Sequence, residues 1–487
     1  MRVWNRPGSR VNPDEDARIG ATACETVVYA GRMAGDRKPL FRALIFAALP
    51  DKPTVVMQRF PIRTLGASLL LVSTIAMSAG PAAGSSREEA HWLRLAVARL
   101  CPPSGLSGLD AQTALPGSWL LDETRRPDGV APRRITVRLL LPGADELTVE
   151  RRQFGGRLRQ FLVSYAAGNG KGTQPSLQAI ADGGCTIRSG RAIRTEGDGW
   201  RYLDQLEGDL ETVKWTETLQ APWPEGKDSG GVRVALVDSG LAYDLPLFRN
   251  RLARDGDGMP VGYDYWDLDP WPYDGDVSRG PFLPIRHGTA VASVLAREAP
   301  GAALVPFRYP RPDMSRMGEL VRRAAGAGAR ILAMPLGSRE PEDWRTFENA
   351  LRGLDMLAVV SAGNNGRDID GDPVFPAALA LENIVVVTSA DGFGRLAPGS
   401  NWGAESVDVM LPAENLEIVD FRGASGTASG SSYAVPRLAA LAARLLAREP
   451  GLSALELKAR ILARATPSPY ERHGVLAAGW IPDPLSE

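Results

Sequence analysis

Three short segments of this chain carry residue types that could perform acyl transfer. Residues 234–241 (VALVDSGL), 286–294 (RHGTAVASV) and 430–446 (GSSYAVPRLAALAARLL) present Asp238, His287 and Ser432, in that order. A serine hydroxyl is a weak nucleophile at neutral pH, so it needs an imidazole to take its proton and a carboxylate to hold that imidazole. The chain has three histidines, and His91 and His473 lie outside these segments, so His287 has no competitor as the base.

The elements expected around the three residues suit these jobs. The apolar run 234–237 reads as a buried parallel strand, which would deliver Asp238 at its C-terminal end, where open α/β sheets place their sites. His287 precedes Gly288 and an apolar stretch, 289–295, that reads as a helix start with Thr289 available as a cap. Ser432 stands just before a helical run, 436–448, with Pro436 expected in its first turn. The hydroxyl would then sit near a positive helix end. Taken singly, an Asp at a strand end is a turn residue, a His before Gly a loop residue and a Ser beside a helix a cap; the order and company of the three favour the chemical reading.

Asp–His–Ser is the order found in subtilisins, unlike the orders of chymotrypsin-like enzymes and α/β-hydrolases, and no Gly-x-Ser-x-Gly elbow surrounds Ser432. From about residue 230 to 480 the chain resembles the subtilisin-like (subtilase) family. Asp238-Ser239-Gly240 is similar to its aspartate motif, His287-Gly288-Thr289 to its histidine motif and Gly430-Ser431-Ser432-Tyr433-Ala434-Val435-Pro436 to its serine motif. Ser361-Ala362-Gly363-Asn364-Asn365-Gly366 resembles the segment bearing the oxyanion-hole asparagine, which implies that role for Asn364. The resemblance also implies a substrate-binding edge at Leu336, Gly337 and Ser338, and a primary pocket lined in part by Ser361, Ala362 and Gly363. Phe375-Pro376-Ala377 and Ser400-Asn401-Trp402-Gly403 fall at further landmarks. Pro335, Ala290, Ser431, Arg437 and Ala440 depart from the usual residues and bear on specificity and pocket shape, because none of them removes a catalytic atom.

The fold implied is α/β, a subtilisin-like three-layer arrangement with a mostly parallel sheet, plus a small N-terminal α+β domain. Alternating segments agree with it. Strands are expected at 232–237, 304–307, 331–334, 357–361 and 384–388, and helices at 318–327, 344–351 and 436–448. The implied activity is that of a secreted serine endopeptidase acting on protein or peptide substrates as a monomer; the alternative is a catalytically inactive subtilase-fold peptide-binding protein.

At 487 residues, 44% hydrophobic and 23% charged, the composition is that of a globular protein, and the net charge of -1 gives no footprint for nucleic acid. Residues 57–63 form a short positive region, 65–76 an apolar core and 78–83 a run of small residues, the pattern of a signal peptide that begins late in the chain. Residues 1–56 are therefore expected to be an unstructured upstream extension and 57–83 a signal peptide, giving a secreted or periplasmic protein; a membrane-anchored form is the alternative. Cys101 and Cys185 then remain as an even pair, expected as a disulfide, with two buried free thiols as the alternative.

Residues 85–215 lie outside the resemblance. Ser86 and Glu89 form a capping-box pattern opening a helix to residue 100, and 135–141, 147–154 and 158–165 read as strands of a meander, with a further hairpin near 200–203. In subtilases this is the place of a propeptide, so an intramolecular inhibitor is one expectation and a permanent accessory domain the other. Residues 216–231, rich in Pro and Gly, read as a linker where a cut could fall, leaving 232–480 as the catalytic domain. No cofactor is required. The acidic runs 255–258 and 368–372 read mainly as solvated turns, with structural calcium as the other reading; neither completes an EF-hand, and no paired His or Cys ligands suggest zinc.

Overall fold

The computed structural model describes residues 82–486 apart from 103–105, 129–130, 171, 198, 312 and 471–474. The upstream extension and nearly all of the expected signal peptide lie outside the described residues, as does His473.

The chain first builds an antiparallel sheet whose strands pair in sequence order: β1 (Trp119–Asp128), β2 (Ala131–Leu140), β3 (Glu146–Phe154), β4 (Arg157–Gly168), β5 (Thr173–Asp182), β6 (Ile187–Thr195), β7 (Arg201–Glu207) and β8 (Val213–Thr218). The expected meander is therefore larger than the three strands and one hairpin read from sequence. Its alternation explains the layering: Leu147, Val149 and Arg151 of β3 are buried while Glu146, Thr148 and Glu150 are half-buried on the other face. Two helices, α1 (Ala82–Leu100) and α2 (Gly108–Ala114), contribute Ala90, Leu93, Ala96, Val97 and Ala111 to a core shared with Val137, Leu139, Phe161 and Val163. The helix starts before the expected cap, so Ser86 lies inside its second turn. A disulfide joins Cys101, after α1, to Cys185, between β5 and β6.

The second sheet is parallel. Its strands are β9 (Arg233–Asp238), β10 (Tyr263–Asp264), β11 (Ala303–Arg308), β12 (Ile331–Met334), β13 (Leu357–Ser361), β14 (Ile384–Ala390), β15 (Val409–Pro412) and, after a small hairpin of β16 (Leu416–Val419) and β17 (Ser425–Ala428), β18 (Gly479–Trp480). The spatial order is β10-β11-β9-β12-β13-β14-β15-β18. The chain leaves β9 in one direction and resumes at β12 on its other side, so the switch of direction lies between these two strands, and α/β sheets open their binding crevice at such a point.

Helices cover both faces. On one, α3 (Gly288–Glu298) and α6 (Ser431–Arg448), with α7 (Ala454–Leu462), pack on Leu236, Ala333, Val359 and Val387; on the other, α4 (Met317–Gly326) and α5 (Arg345–Leu351) pack on Val237, Leu332, Val360 and Val386. This is the three-layer arrangement expected. Among the described residues no helix is long and apolar enough to cross a membrane.

Two expectations are corrected. Helix α6 begins at Ser431, five residues earlier than expected, so Pro436 lies in its second turn and Ser432 in its first. Lacking an N–H, Pro436 leaves the Ser432 carbonyl without its usual helical donor. Residues 216–231 are not a free linker: 216–218 belong to β8, and the rest is a strap bonded to the parallel sheet's surroundings. The Tyr243 hydroxyl donates to the Ala221 carbonyl, Trp223 stacks on Tyr243 at 4.1 Å, and Arg254 donates to the Pro224 carbonyl at 2.7 Å. Pro and Gly content marked the strap as a linker, but ring stacking and arginine-to-carbonyl bonds need no regular backbone.

Candidate active site

Asp238 is the last residue of β9 and is buried, its backbone carbonyl accepting from Tyr309 N–H at 3.0 Å. His287 caps the start of α3, and its Nδ1 lies 2.8 and 2.9 Å from the two carboxylate oxygens of Asp238. This fixes the tautomer: Nδ1–H donates to the carboxylate, and Nε2 is left on the opposite side of the ring. Gly288 permits the approach, since a Cβ there would stand 2.0 Å from the Gly240 carbonyl oxygen and 3.0 Å from Asp238 Cβ.

The cap expected from Thr289 is made differently. The Thr289 hydroxyl accepts from Ala242 N–H at 3.0 Å, while the start of α3 is satisfied from neighbouring loops. Ser239 Oγ accepts from the N–H groups of His287 (3.1 Å) and Gly288 (2.9 Å), and Asp274 accepts from Thr289 N–H (3.0 Å). Ser239 in turn donates to Asp274 at 2.6 Å. Asp274 is fully buried and was not singled out from sequence; its only local signal is the Tyr-Asp-Gly-Asp turn at 273–276.

Burial of His287 disfavours its charged form, but the Asp238 carboxylate, the bond to it, and the charge of Asp274 outweigh that and push the imidazole up to about 9. The side chain remains 32% exposed, so the ring is open to a reacting group.

Ser432 is half-buried in the first turn of α6, next to Tyr433, whose ring centroid lies 6.0 Å from that of His287. Asn364 stands against this turn: its Oδ1 accepts from Ser431 N–H at 2.9 Å, leaving the amide NH2 to donate elsewhere. Gly430, at φ 118°, is needed here because a Cβ would stand 3.1 Å from Asn364 Oδ1. The first N–H groups of a helix have no intrahelical acceptor, so the start of α6 gathers donors and a positive potential beside the asparagine.

The loop bearing Asn364 is clamped by Asn401, which is fully buried. Its amide NH2 donates to the Ala362 carbonyl (2.8 Å), and its Oδ1 accepts from Asn365 N–H (2.9 Å) and Arg367 N–H (3.2 Å). Asn401 was legible from sequence only as part of a landmark.

The expected substrate contacts divide. Gly337 is exposed and Leu336 half-buried after β12, beside the crevice. Ser338 does not offer a free edge: its N–H and C=O are both paired with Phe375, at 2.9 and 2.8 Å, and its hydroxyl accepts from Trp344 Nε1 at 2.9 Å. Ser361 is buried at the end of β13, and Gly363 is half-buried. Ala362 is fully buried in the core, with its N–H donated to the Val387 carbonyl. The acidic turns use their carboxylates internally. Asp255 accepts from Asp257 and Met259 N–H, Asp370 from Glu405 and Ser406 N–H, and Asp372 pairs with Arg339 and Arg367. Among the described residues no three His, Cys, Asp or Glu gather as a metal site.

The parallel sheet, covered by helices on both faces, carries Asp238 at the end of β9, His287 at the N-terminal cap of α3 and Ser432 in the first turn of α6. A profile of the Subtilase family matches residues 229–479, and the chain belongs to that family. It is 28% identical over 257 residues to a thermophilic serine proteinase of Bacillus sp. (strain AK1), covering 49% of this chain and 57% of that protein. It is 29% identical over 252 residues to the halolysin-like extracellular serine protease Nep of Natrialba magadii, covering 49% and 44%. The matches thus span about half the length of these relatives. A solved structure described as a cold adapted subtilisin-like serine proteinase overlaps at 22% identity with a TM-score of 0.42, over 52% of this chain and 89% of that one.

Proposed function

We propose that the protein is an exported serine endopeptidase that hydrolyses peptide bonds through an acyl-enzyme. The observation that carries this reading is the Asp238 carboxylate bracketing His287 Nδ1 at 2.8 and 2.9 Å, with the imidazole 32% exposed and its ring 6.0 Å from that of Tyr433, the neighbour of Ser432. Family membership and the relation to serine proteinases support it.

In this mechanism Ser432 Oγ attacks the scissile carbonyl carbon as His287 Nε2 takes the hydroxyl proton. The oxyanion is held by the Asn364 amide and the Ser432 N–H, and Asp238 stabilises the imidazolium. The C–N bond then breaks as His287 protonates the leaving amine. Water, deprotonated by the same imidazole, attacks the ester carbonyl, and Ser432 leaves with the proton returned to it. Leu336 and Gly337 would guide the peptide backbone.

Treatment with a fluorophosphonate probe tests the assignment. Wild-type protein labels at Ser432 and Ser432→Ala does not; an unlabelled, folded wild-type protein, or full peptidase activity in Ser432→Ala, overturns it.

A further inference from the structure

The meander is joined to the catalytic layers by polar contacts that converge on the neighbours of Asp238 and His287. Arg201 of β7 bonds Asp267 at 2.8 Å, and Asp267 also holds Arg308 at 2.9 Å. Arg308 ends β11 in register with Asp238. Glu217 of β8 faces Arg286, the residue before His287, at 3.5 Å, and Arg286 donates to the Thr218 carbonyl at 3.2 Å. Arg286 and Glu217 are only 7% and 10% exposed. The carboxylate is fixed from its own side as well, since Gln205 of β7 donates to its other oxygen at 3.2 Å and is itself held by Arg191 at 2.9 Å. The guanidinium lies over Phe421 at 4.5 Å, and its Nε and Nη1 have no hydrogen-bond partner among the described residues.

A buried guanidinium with two unpaired nitrogens depends on its counter-charge. Remove Glu217, and Arg286 keeps the charge of Asp274 nearby but loses the carboxylate that faces it from β8, so the buried guanidinium shifts and pulls on the backbone at His287. We infer that Glu217 is a positioning residue for His287, acting through Arg286, and that the meander which carries it is a permanent part of the catalytic unit rather than a removable inhibitor. The strap agrees. Gln220 donates to Asp269 at 2.8 Å and Ala221 is 7% exposed, so these links to the catalytic layers lie ahead of the exposed stretch 225–230, and a cut in that stretch would leave them and the Glu217–Arg286 pair in place.

This inference rests on the protease reading, and its test separates the two. Intact mass of the fluorophosphonate-labelled protein is expected to show a chain that retains residues 84–218, or a nicked pair that co-elutes on gel filtration with full activity. A labelled, active chain beginning after residue 218 overturns the inference and leaves the protease reading standing, whereas no labelling at Ser432 removes both. In the full-length enzyme, Glu217→Gln is expected to lower kcat by roughly 10- to 100-fold with KM within about twofold, as for a small misplacement of a reacting group. Glu217→Asp restores a counter-charge from β8 and leaves Arg286 beside the buried Asp274, and it is expected to recover most of the lost kcat. A Glu217→Gln enzyme with unchanged kcat, or a Glu217→Asp enzyme no better than Glu217→Gln, overturns the inference. If Glu217→Gln does not fold, the mass measurement decides alone.

Discussion

Around His287 the charges set opposite demands on activity and stability. Its folded pKa of about 9 lies above the ordinary 6.5, so the fold favours the imidazolium. That contribution to stability is fully present below 6.5 and is lost as pH rises through about 9. The reaction needs the neutral base, so kcat/KM is expected to rise over the same window, with a midpoint near 9, while the melting temperature declines; Asp238→Asn is expected to move the activity limb to lower pH and flatten the stability change. A limb near 6.5 in the wild-type enzyme would contradict the electrostatic account. Asn364→Leu keeps the side chain's bulk but removes its donor, and a loss of about 10²–10³ in kcat is expected from kinetics on a peptide ester. Asp238, His287 and Ser432 could be proposed from sequence because each sits in a short motif whose neighbours announce a strand end or helix start. The roles of Asp274, Asn401 and Glu217 could not, Asn401 showing only as part of a landmark, because their partners at positions 239, 362 and 286 are brought to them only by folding.

The elements that carry these residues owe their stability to burial. Leu438 in the middle of α6 is fully buried against the parallel sheet, so Leu438→Ala is expected to destabilise by about 2–5 kcal/mol in chemical denaturation. Arg437, a departure from the family's usual residue, pairs with Glu298 at the end of α3 at 2.7 Å, both side chains being 9% exposed. Arg437→Ala would strand that carboxylate and is expected to cost about 3–5 kcal/mol, with Arg437→Met/Glu298→Leu far less damaging. Strands β12 and β13 were predicted to the residue because a strand buried on both faces is a continuous apolar run between breaks. The apolar run of β15 ends directly in Pro412 and β18 has two residues, so neither was read as a strand, and the hairpin of β16 and β17 is exposed along much of its length. The start of α6 was misplaced because proline was taken to mark a first turn, where the structure tolerates it one turn later.

Across the whole molecule the two sheets are stabilised by different means. The meander closes its 84-residue separation between Cys101 and Cys185 with a disulfide, which in the chain-entropy view is worth about 4–5 kcal/mol. Replacing both cysteines by serine is expected to lower the stability of the meander and to make the enzyme lose kcat before the parallel sheet unfolds, measured by activity alongside far-ultraviolet circular dichroism. The existence of an N-terminal α+β part was legible from alternation and turns. Its attachment was not, because Arg191 reaching the Phe282 carbonyl at 2.7 Å and Trp200 meeting Trp271 at 5.2 Å are contacts between residues 91 and 71 positions apart, with no trace in local pattern.

Every strand of the meander pairs with its neighbour in sequence, whereas the parallel sheet is closed by β18 at Gly479–Trp480, far from the strands it joins. Local pairing of this kind has a small loop-closure cost and forms fast; the distant pairing is slow. On a chain emerging from its N-terminus, the sheet bearing Glu217 can therefore be complete once residue 218 is free, before His287 has been made. The surface against which the histidine loop settles is already folded when that loop arrives.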